Sequence, residues 1–331
     1  MLRTFAATLA VACLTLAGCS GASVPSEVAP GGASITHRYG TTEVPVDPQR
    51  VVTVGLTDHD TVLALGVTPV AVTDWFGDQP YGVWPWAQDA LGDATPVVLE
   101  AAAAQMEFEK IAAAAPDLIL AVNSGLTQAQ YDTLTAIAPT VAQSGEFVDY
   151  GTPWQDQTRI IGAALGRTAQ AEELVADVEA DFAAAREANP RFDGAIGIIG
   201  LTGTDGDYYP YGPEDARARF LGALGFAQAP GIAELAGENF FATISAERFD
   251  LLADADVLVW IAATEAERTA LQTNPAYAAL TLVQEGRDVF PAYDPLGAAL
   301  SYNSVLSLPF AIDGMVPLLQ AAIDGDPATT A

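Results

Sequence analysis

Basic residues, cysteine and histidine are all scarce in this chain of 331 residues. It has 13 Lys and Arg against 42 Asp and Glu, which gives a formal net charge of −29 at pH 7. So acidic a chain repels polyanions, which argues against nucleic acid as a partner and against electrostatic attachment to an anionic membrane surface. The acidic surface keeps the protein soluble and favours neutral or cationic ligands over highly anionic ones.

The four cysteine and histidine residues limit the available chemistry further: Cys13, Cys19, His37 and His59. A metal site would need two or three clustered histidines with a carboxylate, so we predict no metal site. The sequence has no Walker loop, no G-x-S-x-G elbow and no G-x-G-x-x-G. A catalytic base would have to be His59, and no neighbouring motif supports that role. We therefore predict a protein that is not an enzyme, with no catalytic residue and no cofactor.

The first 18 residues are typical of a lipoprotein signal peptide, because residues 4–16 are apolar but too few to cross a membrane. The run Leu16, Ala17, Gly18, Cys19 resembles a bacterial lipobox, in which cleavage precedes a lipidated Cys19. Residues 19–34 then form the anchor and a flexible tether rich in Ser, Pro and Gly. We expect the protein at the cell membrane, lipid-anchored on the extracytoplasmic face; an ordinary signal peptide with a chance cysteine is the alternative. In either case no disulfide is possible within the mature chain.

A long helix is predicted over residues 168–189, where good helix formers follow one another without Gly or Pro. Thr168 can cap it and Pro190 ends it. At 1.5 Å per residue it spans roughly 33 Å, about the diameter of a small domain. Its apolar stripe is narrow and consists of Leu174, Val178, Phe182 and Ala185.

Buried-strand patterns alternate with helical patterns on both sides of this helix, as in a largely parallel sheet covered on both faces. We predict an α/β fold with two Rossmann-like lobes, residues 35–167 and 190–331, joined by a single rigid helix. The alternative is one larger domain that carries an ordinary amphipathic helix. The predicted strands are residues 50–55, 70–73, 118–122, 140–142, 195–200, 257–261 and 288–290.

Two aromatic segments, residues 74–86 and residues 201–212, each follow a strand, one in each predicted lobe. We interpret both segments as loops. Ligands of open parallel sheets bind beyond the carboxyl ends of the strands, and aromatic clefts suit bulky organic ligands. Two arginines are notable in so acidic a chain, since either can meet an anionic group. The alternative for each residue is local packing. The predicted ligand-binding residues are Trp75, Tyr81, Trp84, Trp86, Tyr208, Tyr209, Tyr211, Arg217, Arg219 and Tyr293.

Several short motifs are spread over the chain from about residue 50 to residue 319. They are RVV at 50–52, ALGVTPV at 64–70, EKI at 109–111, APDLI at 115–119, IIG at 160–162, LGR at 165–167, ISAER at 244–248 and ALSYNSVLSLP at 299–309. Together they resemble the substrate-binding lipoproteins of iron–siderophore ABC importers, a family related to the vitamin B12 and ferric hydroxamate binders.

This resemblance implies two lobes on one rigid helix and one exposed glutamate per lobe that docks onto the permease. Glu109 and Glu247 occupy the matching positions; the alternative is a helix-terminal acid favoured by the helix dipole. We therefore predict a monomer that captures a ferric siderophore and delivers it to an ABC permease and its ATPase. Haem or a corrinoid in the same cleft, and direct ferric iron binding through Tyr208 and Tyr209 with carboxylates, are the alternatives.

Overall fold

The computed structural model describes residues 32–101, 105–203, 206–262 and 264–329. The predicted signal peptide and Cys19 lie outside the described residues. None of the helices in the described ranges is long and apolar enough to span a bilayer. The chain begins with a small antiparallel hairpin of β1 (Ser34–His37) and β2 (Gly40–Glu43).

The first sheet consists of five parallel strands in the order β5-β4-β3-β6-β7. Its strands are β3 (Val51–Thr53), β4 (Ala71–Asp74), β5 (Val97–Glu100), β6 (Leu118–Ala121) and β7 (Thr140–Ala142). The helices around it are α1 (Asp58–Ala64), α2 (Pro85–Leu91), α3 (Phe108–Ala113), α4 (Gln128–Thr135) and α5 (Trp154–Ala164).

Alternate residues of the interior strand β6 enter different cores. Leu118 and Leu120 pack into one apolar cluster, whereas Ile119 and Ala121 pack into another. Successive side chains of a strand point to opposite faces, so both faces of this sheet are buried. The connection from β3 to β4 and that from β6 to β7 run in opposite directions across the sheet, which creates a crevice beyond the ends of β3 and β6.

The long predicted helix is α6 (Thr168–Ala188), with 21 residues. Arg167, not Thr168, occupies the position before its first turn, and no side chain caps it. Ala171 belongs to an apolar core of the first half, whereas Val178 and Phe182 belong to a core of the second half. Val175 replaces Leu174 as the fully buried member of the predicted stripe, and Leu174 is only partly buried. One helix therefore contributes to the packing of both halves.

The second half is built around a six-stranded sheet in the order β11-β9-β8-β12-β13, with β10 also paired to β8. Its strands are β8 (Ile196–Thr202), β9 (Asp207–Pro210), β10 (Ala227–Gln228), β11 (Ile244–Ser245), β12 (Val257–Ile261) and β13 (Asp288–Val289). Its helices are α7 (Ala216–Ala223), α8 (Pro230–Ala236), α9 (Glu265–Gln272), α10 (Pro275–Ala278), α11 (Thr281–Gln284), α12 (Ala298–Tyr302) and α13 (Ser307–Ile323).

The interpretation of the second aromatic segment as a loop is wrong. Tyr208 and Tyr209 lie in β9, which pairs antiparallel with β8. Tyrosine favours strands, and the two rings alternate between a buried and a half-buried face as a strand requires. The second sheet is therefore mixed, although β8, β12 and β13 are parallel.

Two separate sheets joined by α6 confirm the predicted α/β class with two Rossmann-like lobes. The described residues group as one compact unit by their contacts, since α6 contacts both α5 and α13, and α13 also contacts α2. The lobe boundaries at 167/168 and 189/190 remain a prediction.

Candidate ligand-binding cleft

A cavity of about 810 Å³ is lined by residues of both halves. Leu56, Trp75 and Asn123 contribute from the first half, each just beyond the carboxyl end of a strand. The opposite wall comes from the first turns of α7 and the end of α12. This volume suits a bulky organic molecule of several hundred daltons. A cavity at the carboxyl ends of parallel strands is where ligands of such sheets bind.

Asp58, at the start of α1, holds the first wall in place. Its Oδ2 accepts the backbone N–H of Val122 at 2.7 Å, and its Oδ1 accepts that of Asn123 at 2.9 Å. The Asn123 side chain in turn donates from Nδ2 to Thr57 Oγ1 at 2.7 Å. Burial raises the pKa of Asp58 to about 6, although the two backbone donors oppose that rise. Gly55 is required here, because a Cβ would lie 2.2 Å from Asp58 Oδ2.

The second wall is organised by Asp215, which accepts the backbone N–H of Arg217 at 2.8 Å and so caps α7. The Arg217 guanidinium forms a two-point pair with Asp215, from Nε to Oδ1 at 2.8 Å and from Nη2 to Oδ2 at 2.7 Å. It also lies 3.8 Å from the centre of the Tyr211 ring. Burial raises the pKa of the Tyr211 hydroxyl to about 12, so Tyr211 is neutral at physiological pH.

Arg219 connects the two walls. Its Nη1 donates to the carbonyl of Gly151, in the first half, at 2.9 Å, and its Nη2 pairs with Glu214 at 3.0 Å. Its Nε donates to the carbonyl of Pro213 at 3.2 Å. All three guanidinium nitrogens of Arg219 are thus engaged.

Three of the ten predicted ligand-binding residues line the cavity: Trp75, Arg217 and Arg219. Tyr211 and Tyr293 lie behind Arg217 and influence it electrostatically. The structure therefore brings part of both aromatic segments to one site. The other five predicted residues lie elsewhere: four pack against neighbouring rings, and Tyr81 is exposed.

Trp84 is 1% exposed and stacks on Trp86 with ring centres 5.2 Å apart. Trp86 is tied to α1, because its Nε1 donates to Asp60 Oδ2 at 2.8 Å. Both indoles serve the core, and Gly77 makes room for Trp84, since a Cβ there would lie 2.4 Å from that ring. Tyr81 is 43% exposed in a 3₁₀ turn. These three side chains are absent from the cavity lining of the described chain.

Tyr208 and Tyr209 are separated by the alternation of β9. The Tyr208 ring packs on Phe249 and Trp260 in the core of the second half, whereas Tyr209 contacts Phe241 on the other face. A shared iron site on these two tyrosines is therefore wrong. No group of three His, Cys, Asp or Glu suited to a metal is present in the described ranges.

Several lining residues were not predicted: Asn123, Tyr150, Trp154, Phe240, Tyr302 and Asn303. Asn123 follows β6, so applying the strand-end rule to every strand would have found it. Tyr150 has a φ of 63°, an unusual backbone conformation for a bulky residue at the rim of a site. Tyr302 lies in the ALSYNSVLSLP motif, but it follows no predicted strand and belongs to neither aromatic segment, so sequence reasoning did not assign it to the cavity.

His59 is fully buried against Tyr302, with ring centres 5.8 Å apart, and it does not line the cavity. Burial lowers the pKa of His59, although neighbouring Asp60 opposes that effect. A neutral, enclosed imidazole that no ligand can reach has no geometry for general-base chemistry.

Glu109 and Glu247 are exposed, each as the second residue of a short helical segment that leads into a buried strand. Neither carboxylate has a hydrogen bond or ion pair with the described residues. One lies in each half, before β6 and before β12 respectively. The two acids are therefore available to an outside partner.

Two α/β halves on one helix, with a cleft at their strand ends, define a class of extracytoplasmic binding proteins. The periplasmic binding protein family model matches residues 51–290, and the chain belongs to this family. The predicted family resemblance is thereby confirmed.

Named relatives extend this result. The chain is 30% identical to a probable siderophore-binding lipoprotein of Bacillus subtilis over 53% of this chain and 51% of that protein, so it spans about half the length of that relative. It is 27% identical to the ferric enterobactin-binding periplasmic protein of Escherichia coli, over 76% of this chain and 80% of that one.

Solved structures match over nearly their whole length. A periplasmic solute binding protein from Mycobacterium smegmatis is 37% identical with a TM-score of 0.80, over 88% of this chain and 99% of the other. Streptococcus pneumoniae PiaA in complex with ferrichrome is 28% identical with a TM-score of 0.77, over 89% and 99%.

Proposed function

We propose that this chain is the extracytoplasmic substrate-binding component of an ABC importer and that it captures a ferric siderophore in the cleft. The observation that carries the proposal is the 810 Å³ cavity shared by both halves, with Trp75 and Trp154 in its lining. Relatives named for siderophores support this ligand class. Under this proposal the iron arrives already coordinated by its chelator.

The test uses the purified full chain in detergent. Ferric chelates quench indole fluorescence at short range, so titration with a siderophore is expected to quench Trp75 and Trp154 saturably. Mass spectrometry of ligand released from protein made under iron limitation identifies the natural cargo. A haem or corrinoid spectrum in that material, or no saturable quenching by any ferric siderophore, would refute the proposal.

We also propose that Cys19 carries the lipid anchor, that the protein acts as a monomer and that it is not an enzyme. The lipobox-like run before Cys19 and relatives named as lipoproteins support the anchor. Replacement of Cys19 by serine is expected to release the protein from the membrane fraction. Retention of the Cys19→Ser protein with membranes would contradict the anchor without affecting the ligand.

Docking to the permease is proposed for Glu109 and Glu247. Two equivalent exposed acids, one per half, allow a partner with suitably spaced arginines to recognise both halves at once. The proposed protein partners are therefore the ABC permease and its ATPase.

A further inference from the structure

The cleft carries no unpaired positive charge among its described lining residues. Its only cationic side chains in that lining are Arg217 and Arg219. Arg217 makes the two-point pair with Asp215, and its side chain is only 19% exposed. Arg219 pairs with Glu214 and donates its other N–H groups to two carbonyls. Two cations and two anions make the charge of this wall zero.

A smaller chamber of about 200 Å³ adjoins the cavity, with which it shares four lining residues: Leu56, Ala101, Asn123 and Tyr150. Its charged lining residues within the described chain are Glu100 and Glu107. Lys110 pairs with Glu107 at 2.8 Å, but Glu100 has no such cation. The side chamber is therefore acidic.

Asp74, which precedes Trp75 in the chain, is buried. Burial raises the pKa of Asp74, and the neighbouring Asp78 and Glu100 carboxylates raise it further. A further anion beside these carboxyl groups would be repelled in the same way. An anionic ligand would therefore meet the acidic side chamber and two arginines that are already paired with carboxylates.

The charge of a ferric chelate depends on its donor groups. Three catecholates bring six negative charges to Fe³⁺ and leave three in excess, whereas three hydroxamates bring three and leave none. An anion buried without a cationic partner loses its hydration without recompense. We propose that the ligand is a ferric chelate without net negative charge, of the tris-hydroxamate class. This inference rests on the proposed function and narrows it.

The test compares ferrichrome, an uncharged tris-hydroxamate chelate, with ferric enterobactin, a tris-catecholate with three negative charges. Both are titrated into the full chain by tryptophan quenching at low and at high salt. Ferrichrome is expected to bind about a hundredfold more tightly at low salt. Added salt is expected to narrow the difference, because it screens repulsion of the anion.

Two variants release the arginines from their partners. Glu214→Gln frees Arg219, and Asp215→Asn frees Arg217 while keeping a side chain that can cap α7. Each is expected to strengthen ferric enterobactin binding about fivefold or more at low salt, with less effect on ferrichrome. Glu179→Gln, on the exposed surface of α6, makes the same change in net charge away from the cavity and is the matched control.

The possible outcomes distinguish failure of the charge inference from failure of the proposed function. Tighter binding of ferric enterobactin by the unaltered chain overturns the charge inference and leaves the siderophore proposal intact. Equal gains from Glu179→Gln and Glu214→Gln also overturn it, since they would reflect net charge alone. Binding of neither chelate, nor of other ferric siderophores, removes the proposed function and this inference with it.

Discussion

Asp60 and Ser304 lie 244 positions apart in the chain and are joined by a hydrogen bond of 2.5 Å, from Ser304 Oγ to Asp60 Oδ2. Both residues are buried, and Trp86 Nε1 donates to the same oxygen. Ser304 Oγ also accepts the backbone N–H of Ser307 at 3.0 Å, at the start of α13. The first helix of the first half is therefore attached to the last helix of the chain, close to the base of the cleft.

Ser304→Ala is expected to lower the free energy of unfolding by about 2–3 kcal/mol. It removes one donor from a buried carboxyl group and one acceptor at the start of a helix. Urea unfolding followed by circular dichroism measures the change. Thr133→Ala, which removes an exposed hydroxyl bonded within α4, is the control and is expected to change stability by less than about 0.5 kcal/mol. Equal stability of the two variants would contradict a structural role for the Asp60–Ser304 bond.

The raised pKa of the buried Asp58 carboxyl group makes the free energy of unfolding depend on pH. Its pKa rises on folding from 3.8 to about 6, so the folded state binds the proton more tightly. The stabilising effect of protonation is complete below the unfolded pKa and is lost as the pH rises through the folded pKa, between about 4 and 6. The loss is on the order of 3 kcal/mol.

The measurement compares urea midpoints of the unaltered chain and Asp58→Asn from pH 4 to pH 7. Asparagine turns an N–H group towards one of the two backbone donors, so the variant is less stable at pH 4. Because asparagine does not titrate, the deficit is expected to shrink as the pH rises. A deficit that grows with pH would mean that the backbone donors outweigh burial.

The sequence predicts the sheets better than it predicts the surface of the site. β6 and β12 are short apolar runs bounded by turns, and their burial on both faces follows from that composition alone. β9 was not predicted, because Pro210 and Gly212 are residue types that are typical of turns. The segment is a strand because it pairs with β8. The long helix was correct within one residue of its end, since Pro190 marks the limit locally.

The aromatic composition correctly indicated that the first aromatic segment lies at the cleft. It did not show which of the rings line the cavity and which are buried in the core. Trp75 and Trp84 are nine positions apart in one segment, yet Trp75 lines the cavity and Trp84 is buried. Tyr302, from a distant part of the chain, packs against both rings. Such tertiary contacts leave no periodic pattern in the sequence, so composition could indicate the neighbourhood and not the contact.

These two tryptophans provide a matched pair for ligand binding. Trp75→Phe is expected to reduce siderophore-induced quenching and to weaken binding about threefold to tenfold, because a smaller ring covers less of the ligand. Trp84→Phe is expected to cost about 1–3 kcal/mol of stability through lost core packing, while affinity is retained. Fluorescence titration and urea unfolding on both variants give the two readouts. Loss of affinity only in Trp84→Phe would reverse the assignment.

Glu109 and Glu247 are predicted to affect delivery of the siderophore to the permease and not its capture in the cleft. Both carboxylates are exposed and lie outside the cleft lining, so Glu109→Ala and Glu247→Ala are expected to bind the ligand normally and to unfold at unchanged urea concentrations. Uptake of labelled ferric siderophore by whole cells is expected to fall severalfold in each single variant and by more than about tenfold in the double variant, because the proposed docking uses one acid from each half. Glu179→Ala, with an equally exposed carboxylate on α6, is expected to leave uptake unchanged. Normal uptake in cells that carry either glutamate variant would contradict the docking role. The favourable interaction of an acid with the helix dipole would then be sufficient to explain both residues.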